Sequence, residues 1–339
     1  MNQLAIVTLT PNGAALGRRL ADRLGRGEVV RVDEGARERL AALYQARRPL
    51  ICVMALGIVV RILGPLALAK EEESPVVVVD EAGQFAISVL GGHRGGANEL
   101  AREAAGAIGA TPVITTASDV LKLPAVDLIG RQLGWTLDSD EHLTAVSAAV
   151  VRGDPIAVYQ DAGSNSWCAE FGGWPRHFHR ATDWPPPPRC TAGIVISDRL
   201  QPPAACPTVI YRPRTLVAGV GCKRGVPWDE IDGLFMDLCN RHRFSPLSLA
   251  LVATVTLKAR EPGLLEFAQR RSAPMRIFRV GELAEMIHLP TPSATVQEKI
   301  GIPGVAEPSA MLAAGTASLL LPKCRGPRTT MAFARREEP

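Results

Sequence analysis

The chain has 339 residues, of which 47% are hydrophobic and 21% charged, and its formal net charge is +4. This composition is typical of a folded globular protein and excludes disorder over most of the chain. No apolar run reaches the roughly 20 residues of a membrane helix. The opening residues, MNQLAIVTLTPNG, lack the basic segment of a secretory signal. We therefore expect a cytoplasmic protein that contacts neither membranes nor, given its near-neutral charge, nucleic acid.

The seven cysteines form no C-x-x-C pair, and their wide spacing matches no standard zinc pattern. Free thiols in a reducing compartment and the absence of a protein-held metal are the simplest expectation.

Short apolar runs alternate with amphipathic segments in the first third of the chain. Strands are predicted at 4–9, 29–32, 50–55, 76–79, 85–89 and 112–116, and helices at 16–24, 35–47 and 98–108. This alternation is typical of βαβ units and predicts a parallel sheet. We place the end of this N-terminal domain at residue 135, which gives a domain of residues 1–135.

The rest of the chain is predicted to hold two further domains. Residues 136–212 contain four consecutive prolines from Pro185 and indicate a small, loop-rich middle domain or connector. Residues 213–339 return to alternating strands and helices. The predicted fold class is therefore α/β, with two parallel-sheet domains joined by a smaller middle domain.

The most informative local sequence is LGGHRGGAN, residues 90–98, between a predicted strand and helix. Its glycines allow a ligand to approach the backbone, and a helix N-terminus favours an anion. His93 and Arg94 lie in the loop, where they would contact substrate. The alternative is a tight turn with a solvated His-Arg pair. The spacing fits neither a Walker A loop nor a dinucleotide fingerprint, so no nucleotide is implied.

A second glycine loop, GVGCKRG at residues 219–225, carries two adjacent cations and suits a carboxylate or phosphate. A surface turn is the alternative. Cys222 is a less favoured candidate nucleophile, because no partner base is visible. Lys258 follows a predicted strand. Either it faces a cleft at the carboxyl edge of the sheet, or it is one of several charged residues at the start of the next helix.

Two carboxylates remain open to two interpretations. Asp119 follows the strand PVITT, where it is either catalytic or the cap of a turn. Glu307 is either a helix-start residue or a site carboxylate.

These segments together resemble a known family. They are CVMALGIVVR (52–61) with Lys70 downstream, VVVVDEAGQFAISVLGGHRGGANELA (76–101), PVITTASD (112–119), GVGCKRG (219–225), TLKAREPGL (256–264) and GVAEPSAMLAAG (304–315). In this order they resemble the cobalamin-biosynthesis protein G family. Members of that family are cobalt-precorrin-5A hydrolases, which open a δ-lactone with water and release acetaldehyde. The C-terminal stretch also resembles a stand-alone protein of the oxygen-dependent cobalamin route.

The resemblance implies a cobalt-containing tetrapyrrole as substrate, with cobalt carried by the substrate and no resident cofactor. Other enzymes of the corrinoid pathway are further expected partners, and no oligomeric state is predicted. The implied catalytic residues are His93 as general base and Asp119 (or Asp80), which orients it or replaces it. The backbone amides around Gly95 and Gly96 are expected to form the oxyanion site, with Arg94 or Lys258 assisting. The implied substrate-binding residues are Arg61, Lys70, Gly92, Arg94, Gly95, Gly96, Asn98, Gly221, Cys222, Lys223, Arg224 and Glu307. The competing interpretations are a non-catalytic tetrapyrrole carrier and, more weakly, a nucleotide-binding α/β protein.

Overall fold

The computed structural model describes residues 3–67, 73–171, 173–186, 188–286 and 289–337. Lys70, a predicted substrate-binding residue, lies outside them. The chain divides into two compact units, Met1–Leu128 and Ile129–Pro339. Within the described ranges, every helix is too short or too polar to cross a membrane. All seven cysteines are free thiols.

The first unit is a six-stranded sheet with helices on both faces. Its strands are β1 Ala5–Thr8, β2 Glu28–Arg31, β3 Leu50–Val53, β4 Val76–Val79, β5 Phe85–Leu90 and β6 Thr111–Val113, in the order β2-β1-β3-β4-β5-β6. Its helices are α1 Pro11–Leu24, α2 Ala36–Gln45, α3 Leu56–Leu63, α4 Ala97–Ile108 and α5 Ala117–Leu121. The four valines of β4 are fully buried, and each contributes about 1.5–3 kcal/mol through burial.

The first sheet is mixed rather than wholly parallel. Strands β1 to β4 are parallel, whereas β5 runs antiparallel to β4 and β6 runs parallel to β5. The connection from Val79 to Phe85 is too short for a crossover, so it forms a hairpin. Asp80 fixes that turn, because its Oδ1 accepts hydrogen bonds from the amides of Gln84 and Phe85 at 2.8 and 2.7 Å. Strands β5 and β6 therefore end at the edge of the sheet where β1 to β4 begin.

The second unit contains two five-stranded sheets. The first, in the order β7-β11-β10-β8-β9, has β7 Thr136–Leu137, β8 Ile156–Gln160, β9 Phe178–Ala181, β10 Ala192–Ile196 and β11 Thr208–Arg212, with α6 Leu143–Arg152. The second, in the order β14-β13-β12-β16-β15, has β12 Leu216–Cys222, β13 Leu249–Val255, β14 Met275–Phe278, β15 Leu321–Arg325 and β16 Thr329–Arg335. Its helices are α7 Trp228–His242, α8 Pro262–Arg270, α9 Val280–Ala284, α10 Ala294–Ile300 and α11 Ala306–Ala314.

The middle region has more regular structure than its proline-rich sequence indicates. Residues 136–212 form a sheet of their own, and that sheet shares one compact unit with the C-terminal sheet. A buried carboxylate joins the two. Asp198 has no exposed surface, accepts a hydrogen bond from Thr215 Oγ1 at 2.8 Å and pairs with Arg335 at 2.6 Å. The predicted α/β class is confirmed by these three sheets, in which parallel pairs predominate.

Candidate active site

The loop that follows β5 is closed by its own backbone. A Cβ on Gly91, whose φ is +68°, would lie 2.9 Å from the Ser74 carbonyl oxygen, and one on Gly95 would lie 2.7 Å from that of Gly91. Both positions therefore require glycine for steric reasons alone. The Gly92 carbonyl accepts from the Asn98 amide at 3.0 Å, which anchors the loop to the first turn of α4.

This tight loop places the His93 imidazole between two carboxylates. Its Nε2 lies 2.6 Å from Asp119 Oδ2, and its Nδ1 lies 3.4 Å from Asp127 Oδ1. The three side chains are 13%, 20% and 17% exposed, respectively. The fold therefore brings together two of the three predicted catalytic residues, His93 and Asp119, since β5 and β6 are parallel and end side by side.

These carboxylates favour the charged imidazole. The hydrogen bond with Asp127 raises the pKa of His93, Asp119 adds to this, and together they outweigh the opposing effect of burial. For Asp119, burial alone would raise the pKa, but hydrogen bonds from His93 and Arg102 lower it overall. Both carboxylates therefore favour the imidazolium form, which alone carries a proton on each ring nitrogen.

A layer of polar side chains holds Asp119 in place. Asn98 Nδ2 donates to Asp119 Oδ2 at 2.8 Å and to Thr116 Oγ1 at 2.9 Å, while its Oδ1 accepts from Ser88 at 2.7 Å. Arg102 Nη2 donates to Asp119 Oδ1 at 2.5 Å. The predicted substrate-binding residue Asn98 is thus occupied with positioning Asp119. Asp127 and Arg102 were not predicted, since no local motif marks either residue.

The other residues of this loop that were predicted to bind substrate differ in whether their donors face other groups of the protein. The Gly96 amide donates to the His93 carbonyl at 3.1 Å, so in this conformation it is not free to bind an oxyanion. Arg94 is half-buried in the same loop.

Arg61 lies on α3 and belongs to the opposite edge of the sheet. Its Nη1 donates to the Gly57 carbonyl at 3.2 Å, which draws the guanidinium back to the helix turn that follows β3. The His93 loop follows β5 instead. Since β4 has four residues at ~3.3 Å each, the two edges are separated by about 10 Å or more.

The second predicted cluster forms where β12 and β13 end. Lys258 Nζ lies 3.2 Å from Glu261 Oε1, and Glu261 Oε2 accepts from the Gly225 amide at 3.1 Å. That amide, together with Lys258, lowers the pKa of Glu261. Burial raises the pKa of Cys222, with Lys258 acting in the opposite direction. A protonated thiol is a poor nucleophile.

The remaining predicted residues lie in the same unit as that cluster. Gly221 is half-buried, and Lys223 and Arg224 are exposed. Glu307 is 2% exposed and accepts hydrogen bonds from Thr291 Oγ1 at 2.9 Å and from the Lys323 amide at 3.1 Å. Its carboxylate therefore links α11 to two neighbouring segments, as a buried structural group does. Lys258 belongs to the second unit, whereas His93 and Asp119 belong to the first.

The fold and the site define an α/β protein with a carboxylate–imidazole cluster at the edge of a mixed sheet and a basic glycine loop in a second unit. Models for the cobalamin synthesis G family match most of the chain from residue 38 onward. Its N-terminal model covers 38–119, its central-region model 124–213 and its C-terminal model 216–334. The chain belongs to this family, which confirms the resemblance of its motifs.

Two relatives of similar length are named cobalt-precorrin-5A hydrolase, and a third, shorter relative is named Protein CobE. A cobalt-precorrin-5A hydrolase of Priestia megaterium is 34% identical over 362 residues, covering 97% of this chain and 94% of that protein. One from Salmonella typhimurium is 34% identical over 322 residues, covering 91% of each. The Protein CobE of a Sinorhizobium species is 35% identical over 107 residues, which is 31% of this chain and 70% of that protein.

Proposed function

We propose that this protein is a cobalt-precorrin-5A hydrolase of cobalamin biosynthesis, which opens the δ-lactone with water and releases acetaldehyde to give cobalt-precorrin-5B. The observation that carries the proposal is the 34% identity to two proteins of that name over more than nine-tenths of the chain. In this proposal cobalt enters as part of the substrate.

The His93 cluster contains the groups that lactone opening requires. Water must lose a proton as it attacks the carbonyl carbon, and the ring oxygen must gain one as its bond to that carbon breaks. A carboxylate–imidazolium pair joined at 2.6 Å supports both transfers. Asp119 is the acceptor, and His93 is the donor in its resting state. The earlier expectation that His93 is the base requires its proton to pass first to Asp119 or Asp127.

The cations predicted for substrate binding suit a polyanion with acetate and propionate side chains. Lys223 and Arg224 are exposed and Lys258 is one-fifth exposed, so each retains solvent-accessible donors. We assign Lys258 to binding a substrate carboxylate, and the Glu261 contact orients its ammonium group.

The test is an anaerobic incubation of the protein with cobalt-precorrin-5A, followed by an assay of acetaldehyde and of the corrinoid mass. We expect acetaldehyde and a matching loss of mass from the macrocycle. Asp119→Asn should lower kcat by about 10²–10⁴-fold if this group transfers the proton. Exposed Asp33 (68%) provides the matched control, Asp33→Asn, which should leave kcat unchanged.

The non-catalytic carrier is the outcome that would replace this proposal. Corrinoid binding by the folded protein without acetaldehyde release would support it, and the roles of His93 and Asp119 would then no longer apply.

A further inference from the structure

A cavity of about 420 Å³ opens where β1, β3 and β4 end. Its lining includes Thr10 after β1, Met54 and Ala55 after β3, and Asp80 after β4. The chain turns outward in opposite directions at this point, since β1 leads to β2 on one side and β3 leads to β4 on the other. Such switch points of doubly wound sheets are where ligands characteristically bind.

The chemistry of the cavity suits an uncharged, apolar part of a ligand. Most of its lining is aliphatic, and none of the described residues that line it is basic. Its polar groups are already bonded, because Thr10 Oγ1 donates to Glu81 at 2.7 Å and Asp80 caps the hairpin turn. A volume near the lower end of the roughly 300–1,000 Å³ range of ligand pockets admits part of a tetrapyrrole, not all of it.

An apolar strip continues from the cavity toward the His93 loop. It consists of Phe85, Ile87 and Val89 on β5, and Ile87 itself lines the cavity. Phe85 is 45% exposed, and the other two are partly exposed. Phe85 and Ile87 share one face because alternate residues of a strand do. The register of β5 on β4 shifts between Ser88 and Leu90, and Val89 beyond Ser88 packs against the same buried cluster as the lining residue Ile58. Since β5 spans six residues at ~3.3 Å each, its length is about 20 Å.

A cationic side chain lies on the helix that borders the cavity. Arg61 is on α3, which also supplies the lining residues Leu56 and Ile58, and its Nη1 donates to the carbonyl of Gly57. The strip leads from there toward the loop with His93. A flat apolar surface with a cation at one end complements a flat ring with acidic side chains.

We propose that the cavity and the β5 strip form the surface on which the tetrapyrrole ring lies, with an apolar ring edge in the cavity and a carboxylate at Arg61. This inference rests on the proposed function for the identity of the ligand. It extends from the switch-point cavity at one sheet edge along β5 toward the loop that carries His93.

The first test compares two matched substitutions. Ala55→Phe places an aromatic ring at the cavity rim, and Ala42→Phe places one on the outer face of α2; both alanines are exposed. The probe is a stable cobalt(III) corrinoid with free acetate and propionate groups, titrated by absorbance. We expect Ala55→Phe to weaken binding at least ten-fold and Ala42→Phe to leave it unchanged. Equal affinities of the two variants would overturn the proposal.

Two further measurements extend the test beyond a variant that fails to fold. In wild-type protein with ¹³C-methyl methionine, the Met54 resonance, assigned with Met54→Leu, should shift during the corrinoid titration. A resonance that stays in place at saturation would also overturn the proposal. Arg61→Gln should weaken binding of the free-acid corrinoid several-fold more than binding of its fully amidated form, and an equal effect on both would remove Arg61 from the site.

Failure of this inference is distinguishable from failure of the proposed function. If the Met54 resonance of the wild-type protein shifts on corrinoid binding but no acetaldehyde is released, the hydrolase proposal is contradicted and the proposed binding surface is not. Acetaldehyde release with identical KM in Ala55→Phe and Ala42→Phe would contradict the surface alone.

Discussion

Replacing Asn98 by Ala is expected to destabilise the first unit selectively. The Asn98 side chain is 3% exposed and makes three hydrogen bonds, to Ser88, Thr116 and Asp119. A neutral hydrogen bond contributes about 1 kcal/mol, and one to a charged group about 1.5–3 kcal/mol. Allowing for water that enters the vacated site, we expect a loss of about 3 kcal/mol in the free energy of unfolding.

The control is the same substitution at Asn12. Both asparagines are the second residue of a helix, Asn98 in α4 and Asn12 in α1, but Asn12 is exposed. Its replacement by Ala should change the free energy of unfolding by less than about 0.5 kcal/mol.

The distribution of tryptophan separates the two units in a single urea titration. All five tryptophans lie at or beyond residue 135, in the second unit, so their fluorescence reports that unit while far-UV circular dichroism reports both. With an m-value of about 2 kcal/mol/M, a 3 kcal/mol loss lowers the midpoint of the first unit by about 1.5 M. A circular dichroism transition identical in Asn98→Ala and Asn12→Ala would refute this account of the Asn98 network.

Three further outcomes are expected. Asp127→Asn should lower the pKa of His93 toward its ordinary value, because that carboxylate is the main cause of the rise. An imidazole titration by NMR that is the same in the variant and the wild type would contradict this role of Asp127. Folding raises the pKa of His93, so its contribution to stability is complete below the pKa that His93 has in the unfolded chain. The contribution is lost as pH rises through the pKa of His93 in the folded protein. Asp127→Asn should therefore reduce the free energy of unfolding mainly at acidic pH. Asp198→Ala should lower the free energy of unfolding of the second unit by about 3 kcal/mol, because it leaves the partly buried Arg335 without its carboxylate. Glu266→Ala, which breaks an exposed ion pair, should lower it by less than about 0.5 kcal/mol. Tryptophan fluorescence measures both. Alkylation of Cys222 by iodoacetamide, followed by mass spectrometry, should be slow at neutral pH and still accelerate above pH 9.0, since burial raises its pKa from that value; a plateau below pH 9.0 would contradict this.

Much of the first unit could be predicted from hydrophobic pattern alone. The valine run of β4 and the helix after the glycine loop lie where the sequence predicts them. The direction of β5 was harder to predict, because apolar residues alternate in the same way whether a strand is parallel or antiparallel to its neighbour. The length of the turn from Asp80 carried that information, since only a hairpin closes so short a connection.

The site was only partly predictable for a similar reason. His93 and Asp119 lie in glycine-rich or polar segments at strand ends, and such loops often carry functional residues in α/β proteins. Asp127 lies in a short helical turn, Val126–Leu128, and reaches His93 only through the fold of the chain after α5. The middle sheet was missed because its proline-rich approaches resemble a connector, although Ala192–Ile196 is fully buried.

The reversal at β5 places the cavity and the His93 cluster at opposite edges of the sheet, and steady-state kinetics can test whether binding and chemistry are divided between them. If the ring lies on the proposed surface and reacts at the His93 cluster, contacts in the cavity are made equally in the ground state and the transition state, because they lie far from the bond that breaks. Filling the cavity with Ala55→Phe should therefore raise KM and leave kcat nearly unchanged, whereas Asp119→Asn should lower kcat with little effect on KM. A kcat loss in Ala55→Phe equal to its loss in kcat/KM would mean that the cavity holds the reacting part of the ring. The catalytic groups would then belong to the edge with Asp80 and Glu81, and the His93 cluster would serve to close its loop.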